Sequence, residues 1–188
     1  MGSFNDYPVR LTIDYPERLE KISTFFRILY AIPVFIILSL ISTFLFPAVA
    51  FIILFRRKYP KWWFDWNVAY TAFATRAKAY LFLLRDEYPS VDEEQGIHFE
   101  MDYPDVRNDL NRWKPLVKWF LVIPHIFILS FLTSIVYLFS IVAWFAILFT
   151  GKYPREIFNF TVGVMRWNLR VTGYAILLVT DKYPPFSF

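Results

Sequence analysis

The two histidines are the first side chains in this sequence that could do chemistry. His98 stands two residues before Glu100 on a predicted strand, so both side chains point to the same face. Asp102 or Asp105 could complete a metal site with them, but a charged strand face in water is the simpler interpretation. His125 follows a proline inside a long apolar run, where an ionisable side chain is a functional candidate by default. We therefore keep His125 as a candidate intramembrane polar residue and predict no metal site.

Two polar pairs recur at matched positions in the two halves of the chain. Asp65 and Arg76 are 11 residues apart, and so are Asn159 and Arg170. Eleven residues make about three helical turns, so the members of each pair lie near one face of a helix. With Arg166, these pairs predict a polar groove for a lipid headgroup or an ion. The alternative is that they face water and lipid phosphate.

A basic cluster, Arg56, Arg57 and Lys58, ends the first apolar run. Such residues hold the end of an apolar segment at the lipid surface and attract anionic headgroups. The chain has no cysteine, which excludes disulfides and cysteine–zinc sites. It also lacks the motifs of a Ser-His-Asp hydrolase and of a glycine-rich phosphate loop. We expect a non-catalytic protein without a cofactor.

The composition indicates a membrane protein. Of 188 residues, 57% are hydrophobic and 19% are charged, whereas soluble domains are about 45–50% apolar and about 25% charged. A soluble protein of this composition would expose large apolar patches. The net charge of +4 is explained more simply by basic residues beside apolar segments than by nucleic acid binding. We expect membrane lipid, and no nucleic acid, as a partner.

Two runs without Asp, Glu, Lys or Arg, residues 28–55 and 119–151, are the segments that must enter the membrane. Each is longer than the roughly 20 residues of one upright crossing. If each run crossed once, 11 Lys and Arg would lie on one side and 9 on the other. If each run is a helical hairpin, all 20 lie on one side, as the positive-inside rule expects. The charges therefore favour two hairpins, which cross the bilayer or enter it part-way.

The hairpin turns are predicted where small polar residues interrupt the runs. The first turn falls in residues 39–47, where Thr43 is part of the turn and Pro47 suits the first turn of a returning helix. The second falls in residues 129–134, where Ser130 is one of three hydroxyl residues.

The chain contains an internal duplication. The alternating segment that ends in Asp-Tyr-Pro at residues 9–16 recurs at 97–104, and the Lys-Tyr-Pro segment at 58–60 recurs at 152–154. The offset drifts only from 88 to 95 residues, which indicates a tandem repeat. We divide the chain into a first membrane repeat, an acidic linker and a second membrane repeat: residues 1–90, 91–96 and 97–188.

Each repeat is predicted to begin with a short strand, at residues 9–13 and 97–101. Two short strands are marginal alone in water, so they must pair between repeats or between subunits, or add the extended C-terminal tail. The resulting small sheet would cap the basic face and offer strands to a partner. The candidate partner-strand residues are Val9, Leu11, Ile13, Ile97, Phe99 and Met101.

Each repeat is predicted to end with an amphipathic helix, at residues 62–84 and 156–178. In the first of these helices the aromatic residues share one face, whereas Asp65, Thr75 and Lys78 lie off it. Tryptophan, tyrosine and arginine favour a helix in the plane of the membrane interface over a third crossing.

Several segments, taken together, resemble a known family. They are residues 7–19 (Tyr-Pro-Val-Arg-Leu-Thr-Ile-Asp-Tyr-Pro-Glu-Arg-Leu), the Ala-Ile-Pro helix at 31–33, and residues 143–153, 160–167 and 181–187. They resemble the bacterial membrane family catalogued as domain of unknown function 4389, over nearly the whole chain. The resemblance implies an integral membrane protein of bacteria or archaea and no established activity.

These features predict a mainly α membrane protein of two tandem repeats with a small β-sheet cap. Each repeat would hold a strand, an apolar helical hairpin and an amphipathic interfacial helix. We expect an accessory or scaffold subunit of a membrane complex, with other membrane subunits or further copies of itself as partners. The alternatives are a homo-oligomeric channel and a lipid-binding, membrane-shaping protein. We expect it in the cell's inner membrane with both termini in the cytoplasm.

Overall fold

The computed structural model describes residues 7–42, 46–56, 58–93, 95–106, 108, 110–111 and 113–188. In these ranges the fold is mainly helical with one small sheet. The elements are β1 (Val9–Ile13), α1 (Lys21–Ser42), α2 (Phe46–Arg56), α3 (Lys61–Leu81), β2 (Ile97–Met101), α4 (Lys114–Leu121), α5 (Ile123–Thr150) and α6 (Arg155–Ala175).

The predicted strands are confirmed with their bounds, and they pair with each other in an antiparallel sheet. The described part of the chain contributes these two strands to the sheet, and the C-terminal tail does not extend it. Leu11 pairs with Phe99 at the centre of the register. These two residues are 88 positions apart, which is the repeat offset, so each is the counterpart of the other. The two strands are therefore related by an approximate twofold axis through this pair.

The helices form two layers beneath the sheet. β1 packs on α6 and β2 packs on α3, so the strand of each repeat covers the last helix of the other repeat. On the far side of this layer, α1 packs on α3, α5 packs on α6, and α1 and α5 contact each other. The order of layers is sheet, then α3 with α6, then α1 with α5.

The close packing of β1 on α6 depends on a glycine. A Cβ atom at Gly173 would lie 2.6 Å from the Cγ2 atom of Val9, far inside van der Waals contact. Beside it, Arg166 donates from Nε to the carbonyl oxygen of Leu11 at 2.8 Å. Since Arg166 lies in the middle of α6, the centre of the sheet sits over the middle of this helix and not beyond its end.

α3 and α6 end earlier than the predicted helices because the chain reverses at two matched leucines. Leu83 and Leu178 adopt left-handed backbone conformations, with φ of 64° and 54°. Such a conformation costs a leucine about 1–3 kcal/mol. Both side chains are buried, and this burial offsets the strain. After each reversal an N–H bonds back into the helix, from Leu84 to Ala79 and from Val179 to Gly173.

The first apolar run is interrupted in the region predicted for its turn. α1 ends at Ser42 and α2 begins at Phe46. Thr43, which was assigned to this turn, lies outside the described residues. Pro47 is the second residue of α2, a position that a proline tolerates because its missing N–H has no partner there.

The predicted second hairpin is wrong, because α5 runs unbroken through residues 129–134. Its hydroxyl residues do not end the helix, since they bond within it. The Oγ atom of Ser134 donates to the carbonyl oxygen of Ser130 at 3.0 Å. No glycine or proline follows Pro124 until Gly151. The helical run breaks instead at Val122, between α4 and α5 and just before Pro124.

Candidate functional site

α1, α4 and α5 present a large apolar surface. Exposed large apolar side chains follow α1 from Ile22 to Leu40 and α5 from Ile123 to Phe149. Within the described residues, two helices are long and apolar enough to cross a membrane, Lys21–Ile41 and Ile123–Thr150. We refer to the exposed side of α1, α4 and α5 as the apolar face.

The opposite side of the molecule is the outer surface of the sheet, and it is charged. Arg10 donates to Glu100 at 3.1 Å and to Asp102 at 2.8 Å. His98 lies 3.3 Å from a carboxylate oxygen of Asp14. We refer to this surface as the charged face. Because Arg10 occupies the Asp102 carboxylate, these groups do not converge as metal ligands, and the described part of the chain holds no cluster of three potential ligands.

The apolar side chains of the candidate partner strands point into the protein. Four of these residues are buried and two are half-buried against the helices below: Val9, Leu11, Ile13 and Ile97, then Phe99 and Met101. A partner strand would therefore use the backbone edges of the sheet. Strand addition by a partner stays a prediction.

A buried cation fastens α4 to the segment that follows α6. The Nζ atom of Lys118 lies 2.8 Å from the Asp181 carboxylate and 2.8 Å from the carbonyl oxygen of Thr180. It also lies 4.8 Å from the centre of the Tyr174 ring. The Lys118 side chain is only 1% exposed. Asp181 is additionally bound by the N–H of Asn111 at 2.8 Å.

The two partners of this contact respond differently to burial. Burial lowers the pKa of Lys118, and the neighbouring carboxylate opposes this shift only in part. Burial would raise the pKa of Asp181, but the hydrogen bonds from Lys118 and Asn111 outweigh it and hold this pKa below its usual value. The lysine is therefore the member whose charge is costly in the folded state.

The first repeat contains the equivalent contact. Arg27, also 1% exposed, donates to Asp86 and to the carbonyl oxygen of Arg85. Its guanidinium carbon lies 4.4 Å from the centre of the Tyr80 ring. Arg27, Tyr80 and Asp86 precede their counterparts in the second repeat by 91, 94 and 95 residues. We call these two contacts the buried clamps.

No sequence pattern predicted the buried clamps directly. Arg27 and Lys118 flank the apolar runs and therefore resemble charges at a lipid surface. Two sequence features could have predicted the buried clamps. Arg27 and Lys118 occupy matched positions in the two repeats, and an aspartate stands two residues before the last Tyr-Pro pair of each repeat.

Tyrosines join the two repeats reciprocally. Tyr15 of the first repeat donates its hydroxyl hydrogen to the carbonyl oxygen of Tyr153, and Tyr103 of the second donates to that of Tyr59. Burial raises the pKa of Tyr153 to about 12, so its phenol stays protonated and donates to the carbonyl oxygen of Phe82 at 3.2 Å. Each repeat is thus held by backbone groups of the other.

The structure does not bring Asp65 and Arg76 together. Asp65 is exposed and forms an ion pair with Lys61, one helical turn away. Arg76 donates to the carbonyl oxygen of Ser90 at 2.7 Å, in the segment that follows α3.

The second predicted pair is also separated. Asn159 is exposed, whereas Arg170 is buried and donates to the carbonyl oxygen of Ser187 at 2.6 Å. Arg166 is bound to the carbonyl oxygen of Leu11. Arg76 and Arg170 therefore hold the extended segments after their helices. A headgroup role for these residues stays a prediction.

His125 is completely buried in an aromatic cage. Its Nδ1 atom accepts a hydrogen bond from Nε1 of Trp167 at 2.9 Å, and its ring stacks on Phe186 at 3.9 Å. An Nδ1 atom that accepts a hydrogen bond carries no proton, so the imidazole is in its neutral form. His125 fixes the C-terminal tail against α5 and α6.

The basic cluster at the end of α2 is described in part. Arg56 and Lys58 are exposed, as a contact with lipid headgroups requires. Arg57 lies outside the described residues.

Part of the polar side of α3 is turned toward the protein interior. Asn67, Thr71 and Thr75 are buried, whereas Trp62 and Trp66 are exposed by 69% and 39%. The three residues are buried because α3 lies beneath the sheet and above α1, and they face α6. Asp65 and Lys78, which also lie off the aromatic face, are exposed.

Comparison with known proteins identifies the family. The sequence model of the family DUF4389, a domain of unknown function, matches residues 21–91 and 112–187. The two matched segments are consistent with a tandem duplication. No match is found among curated proteins or among solved structures. Because the matched segments cover most of the chain, the protein belongs to the DUF4389 family, whose model it matches twice.

Proposed function

We propose that the protein is a non-catalytic membrane scaffold or accessory subunit that lies along one leaflet of the bilayer. The apolar face enters the hydrocarbon, and the charged face looks into the water. The observation that carries this proposal is the position of these two faces on opposite sides of the α3 and α6 layer.

The helix directions support a position along the membrane plane. α1 runs antiparallel to α3, since Arg27 contacts Tyr80 and the carbonyl oxygen of Leu38 accepts a hydrogen bond from Tyr70. α5 runs antiparallel to α6, since the beginning of α5 contacts the second half of α6 at Trp167. If α1 and α5 stood upright in the bilayer, α3 and α6 would stand upright too.

An upright arrangement would place the charged face in hydrocarbon. The sheet lies over the middle of α6, where Arg166 binds the backbone of β1. Each of Arg10, Glu100 and Asp102 would then lie at bilayer depth, where a charge costs about 2.5–3.5 kcal/mol on the most lenient scale. A molecule lying in the plane avoids this cost. It also keeps the Lys and Arg of the described residues on one side, and we propose that this side, with both termini, is the cytoplasm.

Nitroxide labels along α5 test this orientation. The chain has no cysteine, so single cysteines at Phe127, Leu138 and Phe149 can be labelled cleanly. All three positions are exposed, by 74%, 63% and 79%, and they recur on one face every 11 residues. The depth of each label in a bilayer is read from its relative exposure to oxygen and to a water-soluble nickel chelate.

A helix in the membrane plane gives three similar depths. A crossing helix would place Leu138 near the bilayer centre and the outer two labels, about 33 Å apart, near opposite surfaces. A label at the exposed residue Thr12 serves as the control on the charged face and should meet the nickel chelate freely. A depth maximum at Leu138 would contradict the proposed orientation, and it would favour the channel alternative.

The scaffold role is tested separately by mass spectrometry of the intact assembly in mild detergent. Foreign subunits in fixed stoichiometry support an accessory subunit. A closed homo-oligomer without foreign subunits contradicts it.

A further inference from the structure

Three adjoining cavities form one cleft between the two helical layers. Their volumes are about 630, 420 and 130 Å³. The smallest shares Lys78 with the second and Asn168 with the largest, and the two larger cavities share Thr172. The larger two fall in the size range of ligand pockets, which is about 300–1,000 Å³.

The cleft has a polar floor and apolar walls. Thr75 and Lys78 of α3 line the floor together with Asn168 and Thr172 of α6. The walls come largely from the apolar side chains of α1 and α5. A polar floor beneath apolar walls suits a molecule with a polar head and a hydrocarbon chain.

Lys78 is a cation without a counter-ion. Within the described residues its ammonium group has no ion pair and no hydrogen bond, in contrast to Arg27 and Lys118 in the buried clamps. Its side chain is exposed by surface area and lines two of the three cavities, where the surrounding protein lowers its pKa by desolvation. An ammonium group that is partly desolvated and has no counter-ion favours the binding of an anion beside it.

Lys78 is not part of a contact that recurs in both repeats. Its counterpart in the second repeat, 94 residues later, is Thr172. The two buried clamps occur in both repeats, as fastening contacts of a duplicated fold do. Lys78 occurs once and points a single charge into a cleft that both repeats build.

We propose that this cleft binds one long-chain carboxylate, with the carboxylate on Lys78 and the hydrocarbon chain along the two larger cavities. Thr172 and Asn168 offer a hydroxyl group and an amide beside the ammonium group. A carboxylate carries one negative charge, which one lysine neutralises. A phosphate monoester carries about −1.5 to −2, which would leave negative charge uncompensated in a desolvated site.

The proposed binding site and the proposed route by which the ligand enters it are supported by different observations. The site rests on the cleft and on Lys78 alone. The route rests on the proposed function, because α1 and α5 form the walls and would let the chain enter from the leaflet. Binding is therefore measured without a bilayer, so that a wrong orientation and an absent site give different results.

The test is the equilibrium binding of tritiated oleate to the whole chain in uncharged detergent micelles. The native protein should bind one oleate saturably. Lys78→Met should weaken binding about tenfold or more, since it removes one charge-assisted hydrogen bond. Lys78→Arg should retain binding. Lys152→Met, which removes an exposed lysine beyond α5, should leave the affinity unchanged.

Further variants and competitors keep the result decisive. Thr172→Phe fills the cleft without changing the charge and should abolish binding, while the melting temperature of each variant shows that it has folded. Oleyl alcohol should compete poorly, because it has no charge. Native affinity in Lys78→Met, equal competition by oleyl alcohol, or tighter binding of 1-oleoyl lysophosphatidate than of oleate would each overturn the proposal.

Discussion

The two buried clamps differ in one measurable respect, which is the chemistry of their cations. A lysine such as Lys118 can lose its proton, whereas the guanidinium group of an arginine stays charged at any accessible pH. We predict that Asp181→Asn and Asp86→Asn both destabilise the protein, and that only the first defect shrinks at alkaline pH.

The size of the defect follows from burial. Asp181 is 12% exposed and Lys118 is 1% exposed, so Asp181→Asn leaves a cation buried without its carboxylate. Breaking a buried pair in this way costs about 3–5 kcal/mol. For a chain of this length, 1 kcal/mol shifts the melting temperature by about 2–4 °C. We therefore expect the melting temperature to decrease by about 6–20 °C at pH 7. The smaller value is favoured because Lys118 still donates a hydrogen bond to the carbonyl oxygen of Thr180.

The pH dependence of the stability follows from the numbers of protons bound by the folded and the unfolded chain. Burial already lowers the pKa of Lys118, and losing Asp181 lowers it further. Between the folded and unfolded pKa values of a lysine, the unfolded chain holds more protons, so stability rises with pH. In the native protein the lowered pKa of Asp181 adds stability at neutral pH, and this is lost as the pH falls through its folded value.

The assay is thermal unfolding in detergent micelles at pH 7, 8 and 9, followed by tryptophan fluorescence. The deficit of Asp181→Asn relative to the native protein should decrease with pH, while that of Asp86→Asn stays constant. Glu93→Gln removes an exposed carboxylate from the linker and serves as the control. Equal, pH-independent deficits in the two aspartate variants would refute the reasoning, and so would recovery of Asp86→Asn.

Three smaller predictions use the same unfolding assay. Gly173→Ala forces a Cβ to within 2.6 Å of Val9 and should cost about 1–3 kcal/mol, since the strand must move; an unchanged melting temperature would show that β1 does not pack there. Tyr15→Phe should destabilise the protein by about 1 kcal/mol. Tyr103→Phe should cost less, because Tyr103 is 48% exposed. A larger loss in Tyr103→Phe than in Tyr15→Phe would contradict the reciprocal contact. Arg10→Ala should cost less than about 1 kcal/mol because its ion pairs are exposed, and a larger loss would mean that this surface is covered.

Local patterns predicted the strands and the last helices well. The alternation in β1 and β2 gave their bounds, because each strand has one buried face and one exposed face. The last helices were also found, apart from the left-handed turns at Leu83 and Leu178 that shorten them. A left-handed leucine cannot be predicted from the local sequence, because tertiary packing and not local preference holds it in that conformation.

Longer-range features were harder to predict. The second hairpin was inferred from the distribution of Lys and Arg, and its turn was placed at serines. A serine can either turn a chain or bond back within a helix, and Ser134 does the latter. The helical pattern placed Lys78 only off the aromatic face of its helix, because the assembled fold is needed to show that it lines a cleft shared with α6. The buried clamps were not predicted because a lysine or arginine beside an apolar run usually indicates a lipid surface.

The reciprocal placement of the strands has a consequence for the ancestry of the chain. A single-copy precursor would have had no helix of its own beneath its strand, and it would have completed the fold only with a second molecule. Two such copies joined by the 91–96 linker would gain the effective concentration that a dissociable pair lacks. Cutting this linker should yield two fragments that recombine when mixed and fail to fold apart.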